Sequence, residues 1–174
     1  REFFSIAKIR DGIAFVAFGF ERVLGLVVWP IYIFYAILGQ KYTSLGSVFS
    51  FYLLFSLIIV FVVSKFSDRS RRTVMKIGAF ANAGVWIVRT FVTSILQVFI
   101  VDGLAGITRT VLTTPFDAIG YDKATEGNIV NYIIFREISI NIGRTIIFLI
   151  LVFTADLADT FLLATFASLL HLIF

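Results

Sequence analysis

The chain has 174 residues, of which 59% are hydrophobic and only 15% charged, with a formal net charge of +4. A soluble domain is roughly 45–50% apolar and about 25% charged, and a chain this size has too little polar surface to hide the excess. Composition therefore argues against an ordinary soluble domain and for an all-α integral membrane protein in a lipid bilayer. The excess of Lys and Arg then bears on topology, not on nucleic acid. There is no cysteine, so disulfides, thiolate chemistry and cysteine metal sites drop out, and no metal or cofactor is expected.

Residues 1–11 mix Arg1, Lys8 and Arg10 with Phe3, Phe4, Ile6 and Ile9. This is the pattern of a short interfacial segment on the membrane surface. A spanning helix needs about 20 mostly apolar residues. Six such runs follow, at about 12–38, 45–65, 74–93, 95–117, 128–154 and 157–174. The first is interrupted by Glu21-Arg22, and the second is uncharged from Leu45 to Ser64. The third and fourth are separated only by Thr93-Ser94 and so predict a tight helical hairpin. The sixth is short for a full span. The chain starts at Arg1 with no signal-peptide pattern and stops inside an apolar run at Phe174, so a piece of a longer protein is expected. All six runs exceed the ~9–11 residues of a barrel strand and lack two-residue alternation.

Orientation follows from the loops. The joint Lys65–Lys76 carries Lys65, Arg69, Arg71, Arg72 and Lys76 against Asp68 alone. As the most basic joint it is predicted to be cytoplasmic, which puts the N-terminus inside as well. The joint Asp117–Gly127 falls on the same side although it is acidic.

The stretch Ser64-Lys65-Phe66-Ser67-Asp68-Arg69-Ser70-Arg71-Arg72 resembles the loop motif of the major facilitator superfamily, G-x-L-x-D-[RK]-x-G-R-[RK]. Asp68, Arg69, Arg71 and Arg72 match it; the two glycines are replaced by Ser64 and Ser70, as in divergent or second-half copies. Gly19-Phe20-Glu21 with Trp29-Pro30 looks like a first span of that family, and Arg136-Glu137 with Gly143-Arg144 like a fifth. The resemblance implies a six-transmembrane-helix bundle, one half of a transporter and possibly its C-terminal half. It implies a multi-pass protein of the bacterial cytoplasmic membrane, and a partner that is a second six-helix half or a second copy. It also implies that Asp68, Arg69, Arg71 and Arg72 form a conformational-switch loop. Physically, Asp68 suits the N-terminal end of span three, and the arginines can bond acidic groups across the joint.

Ionisable groups inside a span are costly and usually face a bundle interior or a water-filled cavity. On span four, Asp102, Gly106, Arg109, Thr113 and Asp117 fall on one helical face. Asn82, Trp86, Arg89 and Thr93 form a similar stripe on span three, and Glu137, Asn141 and Arg144 on span five. Glu21, Arg109 and Glu137 each lie about eight or nine residues from the inner membrane surface, roughly 12 Å deep. Depth thus predicts that Arg109 pairs with Glu137 or Glu21, and that Arg89 pairs with Asp102 at the outer hairpin. The candidate pathway residues are Glu21, Arg22, Arg109, Glu137, Asn141 and Arg144. A buried carboxylate among them can carry a proton. Guanidiniums outnumber carboxylates inside the spans, which favours an anionic small-molecule substrate. The lone His171 is expected to be a packed or interfacial residue.

Two readings follow. One is a secondary transporter, or half of one, working by alternating access and proton-coupled if a carboxylate serves. The other is a non-transporting scaffold or assembly subunit in which the same charges only fasten helices. An enzyme is not expected, because no nucleophile–base pair, paired aspartates or metal-ligand pattern is present. A channel is disfavoured because no filter-like loop interrupts the spans.

Overall fold

In hydrocarbon every backbone N–H and C=O must be satisfied within the protein, which drives apolar runs into helices. The computed structural model describes residues 6–174, without the side chains of Ile6, Ala7, Asp68 and Arg69. All regular structure among these residues is helical. Helix α1 (Ile6–Val23) passes through a π turn (Leu24–Val28) into α2 (Trp29–Ala36). Pro30 accounts for the turn: it has no N–H, and its ring crowds the carbonyl four residues back. Trp29 N–H reaches five residues back to the Leu24 carbonyl, so the helix goes on without a break. The interfacial segment predicted for residues 1–11 is not separate where it is described, since α1 runs on from Ile6. Residues 1–5 lie outside the description.

The chain reverses at Gly39 and Gln40, both in the left-handed region with φ of 59° and 61°. Helix α3 (Tyr42–Arg89) then runs through the joint predicted as a loop, with one non-helical residue, Ser70 (φ −158°, ψ 64°). Lys65–Lys76 holds no Gly or Pro, so nothing in it stops a helix. The kink at Ser70 divides α3 into a first arm, residues 42–69, and a second arm, residues 71–89. A tight turn follows, capped by Ser94 and Gln97 in a reciprocal capping box. Helices α4 (Ile95–Thr125), α5 (Ile129–Phe153) and α6 (Asp159–Leu170) complete the chain, with a 3₁₀ turn at His171–Ile173.

Among the described residues, three segments are long and apolar enough to cross a membrane: Lys8–Ala36, Tyr42–Ser67 and Ile95–Thr125. Six were predicted. The second arm of α3 carries Arg71, Arg72, Lys76 and Arg89, α5 carries Arg136, Glu137 and Arg144, and α6 has only 12 residues.

The order of helices gives two groups of three: α1–α2 with the two arms of α3, then α4, α5 and α6. Helix α5 packs along α1, α4 along α3, and α6 against both α1 and α3. Small residues permit the closest approaches. A Cβ on Gly19 would collide with the Ile140 carbonyl of α5, and one on Gly143 with the Val16 carbonyl of α1. A Cβ on Gly106 of α4 would lie 2.5 Å from the Tyr52 carbonyl of the first arm. The first helix of each group thus crosses the middle helix of the other at a glycine. On the second arm, Gly78 meets the backbone of Leu112.

Two apolar clusters fill the bundle. One gathers Trp29, Ile33, Trp86, Val101, Ile147 and Phe161. The other gathers Phe15, Phe18, Met75, Leu112, Phe116 and Phe174. Between them the sequence of each helix interposes polar residues at one level. Glu21 falls between Phe18 and Val23, Asn82 between Ala79 and Val85, Thr108 between Ala105 and Leu112, and Ser168 between Ala164 and Phe174.

Candidate functional site

This polar layer is a connected network. Glu21 is 3% exposed. Its Oε1 accepts from Asn82 Nδ2 at 2.7 Å and from Trp86 Nε1 at 3.2 Å, and its Oε2 accepts from Ser168 Oγ at 3.4 Å. Asn82 Nδ2 also donates to Ser168 Oγ at 2.5 Å, while its Oδ1 accepts from Thr108 Oγ1 at 3.5 Å. The carboxylate is therefore held by neutral donors from two neighbouring helices and by no cation. The predicted pair with Arg109 is absent.

Above it, Arg89 and Asp102 pair as expected at 2.6 Å, with both side chains almost sealed. Trp29 Nε1 donates to both Asp102 oxygens at 2.8 and 3.0 Å. The Arg89 guanidinium lies between two indoles, 4.5 Å from the ring centre of Trp29 and 4.4 Å from that of Trp86. Buried charge is held here by a carboxylate, an indole N–H and two π faces, while Arg89 Nε is left without a hydrogen-bond partner among the described residues.

Arg109 differs. It is half-buried on α4 and forms no hydrogen bond or ion pair among the described residues. Its Nη1 fills the space over Gly25, where a Cβ would stand 2.6 Å away. A cavity of about 30 Å³ opens here, lined by Gly25, Tyr52, Asn82, Trp86 and Arg109 among others. That is room for a water or two.

The remaining predicted pathway residues are exposed or partly exposed. Arg22 is exposed, its guanidinium 5.8 Å from the Phe18 ring centre. Glu137 is exposed on α5, contrary to the predicted pairing with Arg109; among the described residues it forms a salt bridge with Arg136 alone, at 3.8 Å. Equal depth did not make them partners, because depth sets height along a helix and leaves the facing direction open. Arg136 bonds Asp117 at 2.5 Å, with Arg22 and Glu137 in electrostatic reach of the same carboxylate. Asn141, exposed, donates to the Glu137 carbonyl at 2.9 Å and accepts from Arg144 Nη1 at 3.1 Å.

At the end predicted to be cytoplasmic, Arg71 of the second arm bonds Asp122 of α4. Arg72 is exposed on a basic cavity that also holds Arg10, Lys76 and Lys123. The side chains of Asp68 and Arg69 lie outside the description. A second tie was not legible in the sequence: Lys123 bonds Asp11 at 2.5 Å and the Phe174 carbonyl at 3.2 Å, and Tyr132 donates to Asp11 at 3.3 Å. Sequence reasoning also passed over Ser168 and Thr108, small polar residues that leave little trace in an apolar run. His171 is fully buried, with Nδ1 3.1 Å from the carbonyls of Ala167 and Ser168 and its ring edge-on to Phe18 and Phe116. It is a packing residue with Nδ1 protonated. No group of acidic, His or Cys side chains among the described residues is arranged to hold a metal.

The chain matches no protein-family model, and no curated protein or solved structure is significantly similar to it.

Proposed function

We propose that this chain is a multi-pass membrane protein, and a secondary transporter or one half of one, moving a small solute by alternating access. One observation carries the reading. Arg22, Arg109, Glu137, Asn141 and Arg144 sit within apolar helices yet are exposed or half-buried. Hydrocarbon accommodates such groups at a cost of several kcal/mol or more, so their face meets a water-filled cavity or a second bundle. Sealing of Arg109 and Glu137 by protein on all sides would favour the scaffold reading; in this chain Arg109 is half-buried and Glu137 exposed. Sealed charge does exist, at Arg89–Asp102, and there the fastening role is the better account.

The remaining parts fit the same reading. Glu21, buried at mid-bundle on neutral donors, is the carboxylate at which a coupled proton would bind. The bond from Arg71, within the stretch that resembles the facilitator loop, to Asp122 is a latch between two helices that rocking would break. The partner is a second six-helix bundle, either another half or another copy. The membrane is a bacterial cytoplasmic membrane with the N-terminus inside. Reconstitution into vesicles tests the proposal: a panel of labelled solutes should include at least one that accumulates faster than in empty vesicles. Equal leakage of all of them would leave the scaffold reading.

A further inference from the structure

We infer that Arg109 and Arg22 form the seat for an oxyanion group, a carboxylate or phosphate, on the transported solute; this rests on the transporter reading and names its substrate class. The other intramembrane guanidiniums are engaged. Arg89 is closed on Asp102, Arg136 on Asp117, and Arg144 on the Asn141 side chain. Arg109 and Arg22 have no hydrogen-bond or ion-pair partner among the described residues. Asp117 lies within electrostatic reach of Arg22 but forms no hydrogen bond or salt bridge with it. Glu21 is turned inward onto Asn82, Trp86 and Ser168, and Asp117 is bonded by Arg136.

The fold places the two arginines in matching positions. Arg22 follows Gly19 by three residues, and Arg109 follows Gly106 by three. Each glycine is the point where the first helix of one group crosses the middle helix of the other. Each arginine therefore emerges one turn beyond an equivalent crossing. The two also converge on α1. Arg109 Nη1 rests over Gly25, three residues on from Arg22, and residues three apart on a helix stand about 5–6 Å apart at Cβ. Arg22 leans back over Phe18 and its side chain is exposed.

Arg109 is half-buried with no ion-pair partner among the described residues, and an anion brought against it neutralises that charge. The planar fork of each arginine suits the paired oxygens of a carboxylate or phosphate. The cavity beside Arg109 admits one oxygen in place of a water, with the bulk of the solute on the open side toward Arg22.

Trp29 and Trp86 are the chain's only tryptophans. Trp86 shares the contact at Gly25 with Arg109, its Cζ2 lying 3.8 Å from the position of a Gly25 Cβ. Intrinsic fluorescence of the purified full chain therefore reports directly on the seat. Inorganic phosphate or succinate, exchanged for chloride at constant ionic strength, should change the emission saturably. Arg109→Gln and Arg22→Gln should each raise the half-saturating concentration at least tenfold. Arg109→Lys should fall between, and Lys41→Gln should match the wild type. Should Arg109→Gln fail to fold, Arg109→Lys and Arg22→Gln carry the comparison. No saturable change with either anion, or unchanged binding in both glutamine variants, overturns the seat. Vesicle uptake separates the two claims. Flux of a neutral or cationic solute without any anion response removes the seat and keeps the transporter. Anion binding without flux of any solute keeps the seat and removes the transporter.

Discussion

Arg89 and Asp102 join the second arm of α3 to α4 across a short turn, with an Nη2–Oδ1 distance of 2.6 Å and side chains only 6% and 5% exposed. Removing one partner strands the other charge away from water. Asp102→Ala also leaves Trp29 Nε1 without its acceptor. It should lower stability by about 3–5 kcal/mol, measured by unfolding in detergent micelles. The double variant Arg89→Met/Asp102→Asn removes both charges at similar volume, keeps an acceptor for Trp29 Nε1 and should recover most of the loss. Equal losses in the single and double variants would mean that shape rather than charge is what the pair supplies.

The glycine crossings predict a contrast within one residue type. Gly19 and Gly143 each face a carbonyl of the opposing helix at a distance no Cβ tolerates. Gly19→Ala and Gly143→Ala should each destabilise by about 1–3 kcal/mol as α1 and α5 are pushed apart. Gly84 is exposed in the second arm, with nothing near its Cβ position. Gly84→Ala should stabilise by up to about 1 kcal/mol through helix propensity alone. Thermal melting of the three variants checks both signs.

The absence of cysteine makes site-specific labelling clean. If the α5 stripe lines a water-filled path, Glu137→Cys and Asn141→Cys should react with a membrane-impermeant maleimide in intact vesicles. Phe80→Cys and Phe166→Cys, on exposed apolar faces of α3 and α6, should stay unlabelled until detergent is added. Labelling of all four at one rate would remove the distinction between a wet face and a lipid face.

Much of this arrangement was readable in the residues, and the failures have a common cause. The apolar runs located the helices because hydrocarbon length sets a lower bound that a sequence window can measure. The Arg89–Asp102 pair was readable because a short hairpin fixes both the height and the facing direction of its flanking residues. Arg109 and Glu137 share a depth, but they lie on helices that are not neighbours in sequence. Their facing directions depend on the crossings at Gly19, Gly106 and Gly143, which no local pattern reveals. The joint Lys65–Lys76 reads as a loop because it is charged, yet charge does not break a helix, and only Ser70 departs from helical geometry within α3. The tie of Lys123 to Asp11 joins α4 to α1 across 112 residues of sequence, far outside any window of periodicity.

Glu21 offers the sharpest test of coupling. Its two oxygens accept from Asn82, Trp86 and Ser168. A glutamine there keeps one oxygen as acceptor for Asn82 and Trp86 and turns its amide toward the Ser168 hydroxyl, which can accept. The network stays satisfied, so Glu21→Gln should change stability by less than about 1 kcal/mol. Glu21→Ala orphans the buried donors and should cost about 1–3 kcal/mol for each group left unpaired. The glutamine, however, cannot release a proton. In vesicles, Glu21→Gln should lose accumulation driven by a proton gradient and retain exchange of labelled for unlabelled solute. Full gradient-driven accumulation in that variant would move the coupled proton to another group, with Glu137, exposed on the same open face, the next to test.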